Sequence, residues 1–119
     1  MSTKINSYRD LLAWQKSMSL VTEVYTITQS FPQHEMYGLT NQMRRSVSIP
    51  SNIAEGYGRN STGDYKRFLQ IANGSLFELQ TQVEIAVNLK YIQAINFQDL
   101  FEKTRELDRM LSSLILKVN

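Results

Sequence analysis

The 119-residue sequence contains no cysteine and a single histidine, His34. Without cysteine the chain has no disulfide framework, no thiolate metal site and no catalytic thiol. One histidine excludes a metal site built from several imidazoles. Two prolines and five glycines are too few for a turn-rich β-sandwich. We therefore expect no metal and no cofactor, and the absence of cysteine suits a cytoplasmic protein.

The sequence also lacks long apolar runs and a strong charge of either sign. No stretch approaches the roughly 20 apolar residues of a membrane span, and the first ten residues contain no signal-peptide core. We therefore expect a soluble protein inside the cell with no membrane partner. Thirteen basic and eleven acidic residues leave a net charge of +2, which identifies no partner.

Helical periodicity runs through most of the chain, with apolar residues three and four positions apart. It predicts helices at about 9–30, 37–59, 63–94 and 97–117. Because the connections are short and no strand signal appears, we predict an all-α fold, an antiparallel up-and-down four-helix bundle in one domain spanning 1–119.

The apolar stripes of three predicted helices define the candidate core. The first helix has two adjacent stripes, a wider face than one partner helix covers: Leu11, Trp14, Met18, Val21, Tyr25, and Leu20, Val24, Ile27, Phe31. The third carries Tyr65, Leu69, Ala72, Leu76, Leu79, Val83 and Ala86, and the last carries Leu100, Thr104, Leu107, Leu111, Leu114 and Val118. In the third helix Ser61 and Asp64 resemble a capping box, and Gly74 predicts a close helix crossing.

The second predicted helix continues its periodicity through Pro50. A proline inside a helix removes one hydrogen bond and bends the axis. The alternative is two short helices with Pro50 in the first turn of the second. Ile49 would be a poor N-cap for that helix, so we favour one continuous helix that is kinked near Pro50.

The polar side of this helix consists mainly of short hydrogen-bonding residues instead of the Lys, Arg and Glu of an ordinary solvent face. Its members follow a spacing of three and four: Asn41, Arg45, Ser48, Asn52, Glu55 and Arg59, with Ser51 beside them. Ser and Asn are mediocre helix formers, so another interaction is expected to offset their cost. It is either a polar network that stabilises the kink or a subunit or ligand interface, for which Asn41, Ser48, Asn52 and Glu55 are the candidates.

The sequence contains few candidate catalytic residues. Glu55 precedes Arg59 by four residues, the favourable order for a helical ion pair. Alternatively Glu55 would act as a general acid or base, but that role needs a second titrating group or a nucleophile nearby. Neither a Gly-x-Ser-x-Gly motif nor a phosphate-binding loop occurs. We therefore predict that the chain is not an enzyme.

One part of the sequence concentrates basic residues. The candidates for nucleic-acid binding are Arg44, Arg45, Arg59, Lys66 and Arg67, with Tyr57 and Tyr65 among them. Arginines interleaved with aromatic residues can bind phosphate and stack on bases. In the alternative interpretation the tyrosines belong to the core and the basic residues form a solvated face.

The middle of the chain resembles the signature of a known family. Residues 37–59 read YGLTNQMRRSVSIPSNIAEGYGR, and further matching segments are DLLAWQ at 10–15, FP at 31–32, RFLQIA at 67–72 and GSLFELQTQ at 74–82. Together they resemble the four-helix-bundle family of 23S rRNA intervening sequence proteins over about residues 8–92, while the last helix fits by pattern only. Ser46 and Val47 stand where small, alanine-like residues are usual, which is a minor departure.

The resemblance implies a homopentamer of four-helix bundles without enzymatic activity. A related branch, the accessory variability determinant of diversity-generating retroelements, forms a barrel-shaped pentamer that binds nucleic acid and a reverse transcriptase. By this likeness we expect a homo-oligomer that binds structured RNA or other nucleic acid. A scaffold that presents its surface to a protein partner is the alternative.

Overall fold

The computed structural model of the protein describes residues 4–118, and its regular elements are helices. They are α1 (Leu12–Thr28), α2 (Leu39–Arg44), α3 (Ser48–Tyr57), α4 (Thr62–Asn88) and α5 (Ala94–Lys117). Single turns of 3-10 helix cover Tyr8–Asp10, Gln33–Glu35 and Arg45–Val47. No β-strand occurs between residues 4 and 118, which confirms the predicted all-α class.

The helices pack as a four-helix bundle in which α2 and α3 together form the second member. Both α1 and α4 pack against α2–α3 and against α5, so they lie diagonally across the bundle. Two ion pairs join α1 to α5, from Glu23 to Lys103 and from Lys16 to Glu106, and their order along the two helices is that of antiparallel neighbours. This is the predicted architecture.

The core confirms the stripes of the two long helices. From α4 it takes Leu69, Ala72, Leu76, Leu79, Val83 and Ala86, and from α5 Leu100, Thr104, Leu107 and Leu111. In α1 the double stripe leaves Met18 and Tyr25 each 42% exposed, as expected of a face wider than one partner helix covers. The buried residues of α1 include Leu20, Val21 and Val24 from the predicted stripes, together with Ala13, Ser17 and Thr28, which the stripes did not contain.

The segment around Pro50 differs from the predicted continuous α-helix. The 3-10 turn Arg45–Val47 separates α2 from α3, so Pro50 is the third residue of α3. There its missing N–H costs little, because the first N–H groups of a helix have no intrahelical acceptor. The backbone remains right-handed helical from Arg44 to Ser48. A bend of the axis near Pro50 stays a prediction.

The end of α4 lies at Asn88, six residues before the predicted boundary at 94, and α5 starts at Ala94 instead of 97. Lys90 has a positive φ of 65°. Its N–H bonds to the Val87 carbonyl at 3.0 Å, and the Tyr91 N–H bonds to the Ala86 carbonyl at 2.9 Å. These two bonds form a Schellman motif, with lysine in the position that usually holds glycine.

The close helix crossing lies at Gly56 and not at the predicted Gly74. A Cβ on Gly56 would lie 2.6 Å from the Phe68 Cβ, whereas one on Gly74 would have no described atom within 4 Å. Gly56 therefore lets α3 approach α4, while Gly74 is exposed on the outside of α4. At the start of α4 the Ser61 side chain accepts the Asp64 N–H at 3.1 Å, one of the two bonds of a capping box.

Candidate interaction surface

Three residues of the polar stripe, Arg45, Ser48 and Asn52, line one wall of a groove, whereas Asn41 and Glu55 do not. Asn41 and Glu55 are exposed, while Ser48 and Asn52 are half-buried. The Asn52 side-chain amide donates a 2.7 Å hydrogen bond to the Ser48 carbonyl. The carbonyl four residues before Pro50 is that of Ser46, which accepts the Ser48 N–H, so the Asn52 bond satisfies a different acceptor. The interpretation as a network around the proline therefore gains no support from Asn52.

The other wall of the groove comes from α4, which the sequence analysis did not connect with the polar stripe. The groove holds about 290 Å³ and is lined by Gln42, Arg45, Ser46, Ser48, Asn52, Ile71, Ser75, Glu78 and Gln82. Ile71, Ser75, Glu78 and Gln82 follow a helical spacing of four, three and four, and this was the signal available in the sequence. The Ser46 hydroxyl is buried and has no hydrogen-bond partner among residues 4–118.

The basic candidates do not form one patch. The Arg44 Nε donates a 2.9 Å hydrogen bond to the Thr28 hydroxyl, and its guanidinium lies 4.8 Å from the Tyr25 ring centre. Arg59 pairs with Glu55 at 2.8 Å, which confirms the predicted ion pair, and lies 4.9 Å from the Phe68 ring centre. Both side chains are thus engaged within the protomer.

Arg45, Lys66 and Arg67 have no carboxylate within ion-pair distance in the described part of the chain. Lys66 and Arg67 lie in the second turn of α4, whereas Arg45 lies in the groove with Glu78. Eleven residues separate Arg67 from Glu78, or roughly 16 Å at 1.5 Å per residue. The free cations therefore occupy two separate places.

The tyrosines among the basic residues belong partly to the interior. Tyr57 and Tyr65 meet edge to face with ring centres 5.9 Å apart, and Tyr65 packs against the core. Burial, and secondarily the nearby Tyr57, raises the pKa of Tyr65. The arrangement favours the core interpretation of these rings over stacking on bases.

Residues 4–118 contain neither a membrane-spanning helix nor a cluster of three acidic or imidazole side chains that could hold a metal ion. Between residues 4 and 118, no helix is both long and apolar enough to cross a bilayer. Over the same range, no three carboxylate or imidazole side chains converge as a metal site.

Comparison with known families agrees with this fold. The model of the family described as 23S rRNA-intervening sequence protein matches residues 9–113. The chain belongs to this family. The match includes the polar stripe, the basic candidates and both walls of the groove, and it extends into α5, which the sequence resemblance covered by pattern only.

Solved structures give the same fold. One is the crystal structure of a protein with unknown function from the S23 ribosomal protein family of Bacteroides thetaiotaomicron. It is 21% identical to this chain, with a TM-score of 0.83, and the likeness covers 89% of this chain and 96% of that one. At this identity the likeness supports the fold alone. No curated protein matches the chain.

Proposed function

We propose that this member of the 23S rRNA-intervening sequence protein family is a non-enzymatic, cytoplasmic subunit of a homo-oligomeric ring, with five copies, that binds nucleic acid. The number five comes from the resemblance described above. The rest of the proposal depends on two surfaces, one for the neighbouring subunit and one for phosphate.

The outward side of α4 is the observation that carries the oligomer. We call it the outer α4 face, and it consists of Ile71, Gly74, Ser75, Glu78, Gln82 and Ile85. Ile71 and Ile85 are 46% and 43% exposed, and Gly74 leaves open space between them. By contrast, the middle of the outward side of α5 carries Glu102, Arg105 and Arg109 in ion pairs. The exposed apolar residues of α5, Ile95 and Leu116, lie near the two ends of that helix. Exposed apolar residues grouped around a glycine are typical of a surface that another helix covers.

A second copy of the chain is the partner that the geometry favours. Met18 and Tyr25 leave a second exposed apolar surface on α1, which lies diagonally opposite α4. Two different surfaces that point away from each other suit a head-to-tail contact, which repeats from subunit to subunit until the ring closes. The excess apolar stripe of α1 then becomes buried in the assembly.

An arginine at position 74 tests the ring. Because a Cβ at Gly74 meets no atom of residues 4–118 within 4 Å, we expect Gly74→Arg to leave the protomer folded while it blocks the outer α4 face. Sedimentation equilibrium should give about 69 kDa for the wild type, five times 13.8 kDa, and a smaller mass for the variant. Ser112→Arg adds the same side chain on the charged side of α5 and should keep the wild-type mass. A monomeric wild type at micromolar concentration contradicts the proposal.

Unpaired cations support nucleic-acid binding. Three of the four basic residues of α5, Lys103, Arg105 and Arg109, are paired with carboxylates. Lys66 and Arg67 are not paired with any described carboxylate. One chain has a net charge of only +2, but five copies would carry +10 and repeat both residues around the ring. If about five phosphates are contacted, affinity should fall about 10²- to 10³-fold between 50 and 200 mM salt.

Charge reversal at two different places distinguishes the effect of local contacts on nucleic-acid binding from the effect of net charge. We expect Lys66→Glu with Arg67→Glu to weaken binding of a labelled rRNA fragment in fluorescence anisotropy. Arg105→Glu with Arg109→Glu changes the net charge equally and should weaken binding less. Equal losses would mean that net charge alone acts.

The scaffold alternative also has an observation in its favour. Arg44 and Arg59, two of the five basic candidates, are engaged within the protomer, which leaves a smaller cationic surface. A ring that binds no nucleic acid at low salt would support the scaffold, and a discrete protein partner would then be expected.

A further inference from the structure

Three side chains meet where the link between α4 and α5 touches the segment before α2. The Tyr91 hydroxyl donates a 2.9 Å hydrogen bond to Glu35 Oε2. His34 Nε2 lies 3.4 Å from the Tyr91 hydroxyl oxygen and 4.0 Å from Glu35 Oε2. More than 50 residues separate the histidine and the carboxylate from the tyrosine along the chain, so the fold creates this cluster.

Two of the three side chains are fixed by other contacts. Glu35 Oε1 accepts the Leu39 N–H at 3.1 Å, which holds the carboxylate at the start of α2. The hydrogen bonds from Leu39 and then from Tyr91 lower the pKa of Glu35. The Tyr91 ring packs against Phe31 with ring centres 5.3 Å apart. The His34 side chain is 74% exposed and faces solvent.

The spacing of the three polar atoms suits a metal ion. Zinc binds imidazole nitrogen and carboxylate oxygen at about 2.0–2.2 Å, so two such donors at a tetrahedral angle lie about 3.4 Å apart. The observed separations of 2.9, 3.4 and 4.0 Å bracket this value. We propose that His34 Nε2, Glu35 Oε2 and the Tyr91 hydroxyl oxygen bind one divalent transition-metal ion, with water in the remaining position.

The donor set determines the class of ion. Calcium and magnesium prefer sites made entirely of oxygen, whereas imidazole suits zinc, copper, nickel and iron. The ion would replace the Tyr91 proton, which now lies on the hydrogen bond to Glu35 and would leave to solvent, so the phenolate oxygen would be the third ligand. A phenol as the third donor also explains why carboxylates and imidazoles alone define no metal site in residues 4–118. The site is separate from the outer α4 face and from Lys66 and Arg67, so it goes beyond the proposed function.

Calorimetric titration of the untagged full chain with zinc chloride tests the site. We expect one ion per chain and loss of binding in His34→Ala, which removes the only imidazole of the sequence. Tyr91→Phe keeps the ring on Phe31 and removes only the hydroxyl, so affinity should fall more than about 10-fold, since loss of a partner outside the ligand shell already costs about that much. Gln33→Ala changes an exposed neighbour that is not a proposed metal ligand, so this variant should bind zinc with the wild-type affinity. Circular dichroism verifies that each variant is folded.

A spectroscopic measurement complements the calorimetry. With one histidine in the chain, the ring-proton resonances of His34 are assigned without ambiguity and should shift on addition of zinc. No heat of binding up to millimolar zinc, or unchanged affinity in His34→Ala, would overturn the proposal. Wild-type affinity in Tyr91→Phe would overturn the three-donor site. None of these outcomes depends on ring formation or on nucleic acid.

Discussion

Arg44 and Thr28 link the second member of the bundle to the end of α1. The Arg44 Nε donates to the Thr28 hydroxyl at 2.9 Å, and that hydroxyl donates to the Val24 carbonyl at 2.8 Å. Thr28 is only 3% exposed, so the guanidinium donates to a buried acceptor and is not available to bind phosphate. Arg44 therefore has a structural role, in contrast to its neighbour Arg45.

Replacement of Arg44 should lower the free energy of unfolding. We expect Arg44→Ala to cost about 1–3 kcal/mol, because it removes a hydrogen bond from a charged donor to a buried hydroxyl. Urea denaturation measures this loss. Arg45→Ala, next to it on the surface, should change stability by less than about 0.5 kcal/mol. Equal effects of the two substitutions would contradict the structural role of Arg44.

A methyl group at Gly56 should be poorly tolerated. The new Cβ would lie 2.6 Å from the Phe68 Cβ and 3.3 Å from the Tyr65 carbonyl oxygen, so α3 and α4 would have to move apart. We expect Gly56→Ala to destabilise the protein by about 1–3 kcal/mol, as overpacking typically does. Gly63→Ala is the matched control, since its Cβ meets nothing within 4 Å in the described structure, and it should be neutral or slightly stabilising. Thermal unfolding at one protein concentration compares the pair.

Glycine at position 90 should stabilise the protein. Lys90 has a φ of 65°, a conformation that costs an ordinary residue roughly 1–2 kcal/mol and glycine very little. Glycine also loses more entropy on folding, so we expect a net gain of up to about 1 kcal/mol for Lys90→Gly. The melting temperature should rise by a few degrees. Lys90→Ala retains the strain and should give no such rise.

Stability at alkaline pH should depend on Lys103. Its ammonium lies 2.6 Å from Glu23 and 3.1 Å from Asp99, and these hydrogen bonds raise the pKa of Lys103. A raised pKa stabilises the folded state at pH values below the ordinary lysine pKa of about 10.4, and this contribution disappears as the pH rises through the folded pKa. Since the lysine side chain is 48% exposed, solvent screening keeps the effect below about 1 kcal/mol.

The matched variant for this prediction is Lys103→Met. Its free energy of unfolding should be lower than that of the wild type at pH 8, and the difference should shrink as the pH rises above 10.4. A difference that stays constant over this range would mean that packing of the side chain, and not its charge, is responsible.

Periodicity was sufficient for α4 and α5 because their large apolar residues are the ones that become buried. In α1 the buried stripe includes Ala13, Ser17 and Thr28, which are too small or too polar to register as apolar. The bulkier Met18 and Tyr25 belong to the predicted double stripe, and each is 42% exposed. Which face of a helix is buried depends on the neighbouring helices, and the local sequence of α1 does not contain that information.

The candidate site was predictable only where its contacts are local. Glu55 and Arg59 are four residues apart on one helical turn, so their ion pair follows from spacing. The bond from Arg44 to Thr28, the α4 wall of the groove and the cluster at His34 all join segments that are distant in the sequence. These contacts arise from tertiary packing, and helical spacing alone does not show which distant segment lies opposite a given face.

The close approach of α3 to α4 at Gly56 also bears on how the chain folds. Gly56 and Phe68 are twelve residues apart, and the link between the two helices, residues 58–61, is four residues long. Closing so short a loop costs little entropy, so this hairpin can form before α1 and α5 dock. Local contacts of this kind are typical of fast-folding helical bundles. The glycine that permits the crossing therefore belongs to the part of the chain where the folding nucleus is expected, and its substitution should slow folding more than it speeds unfolding.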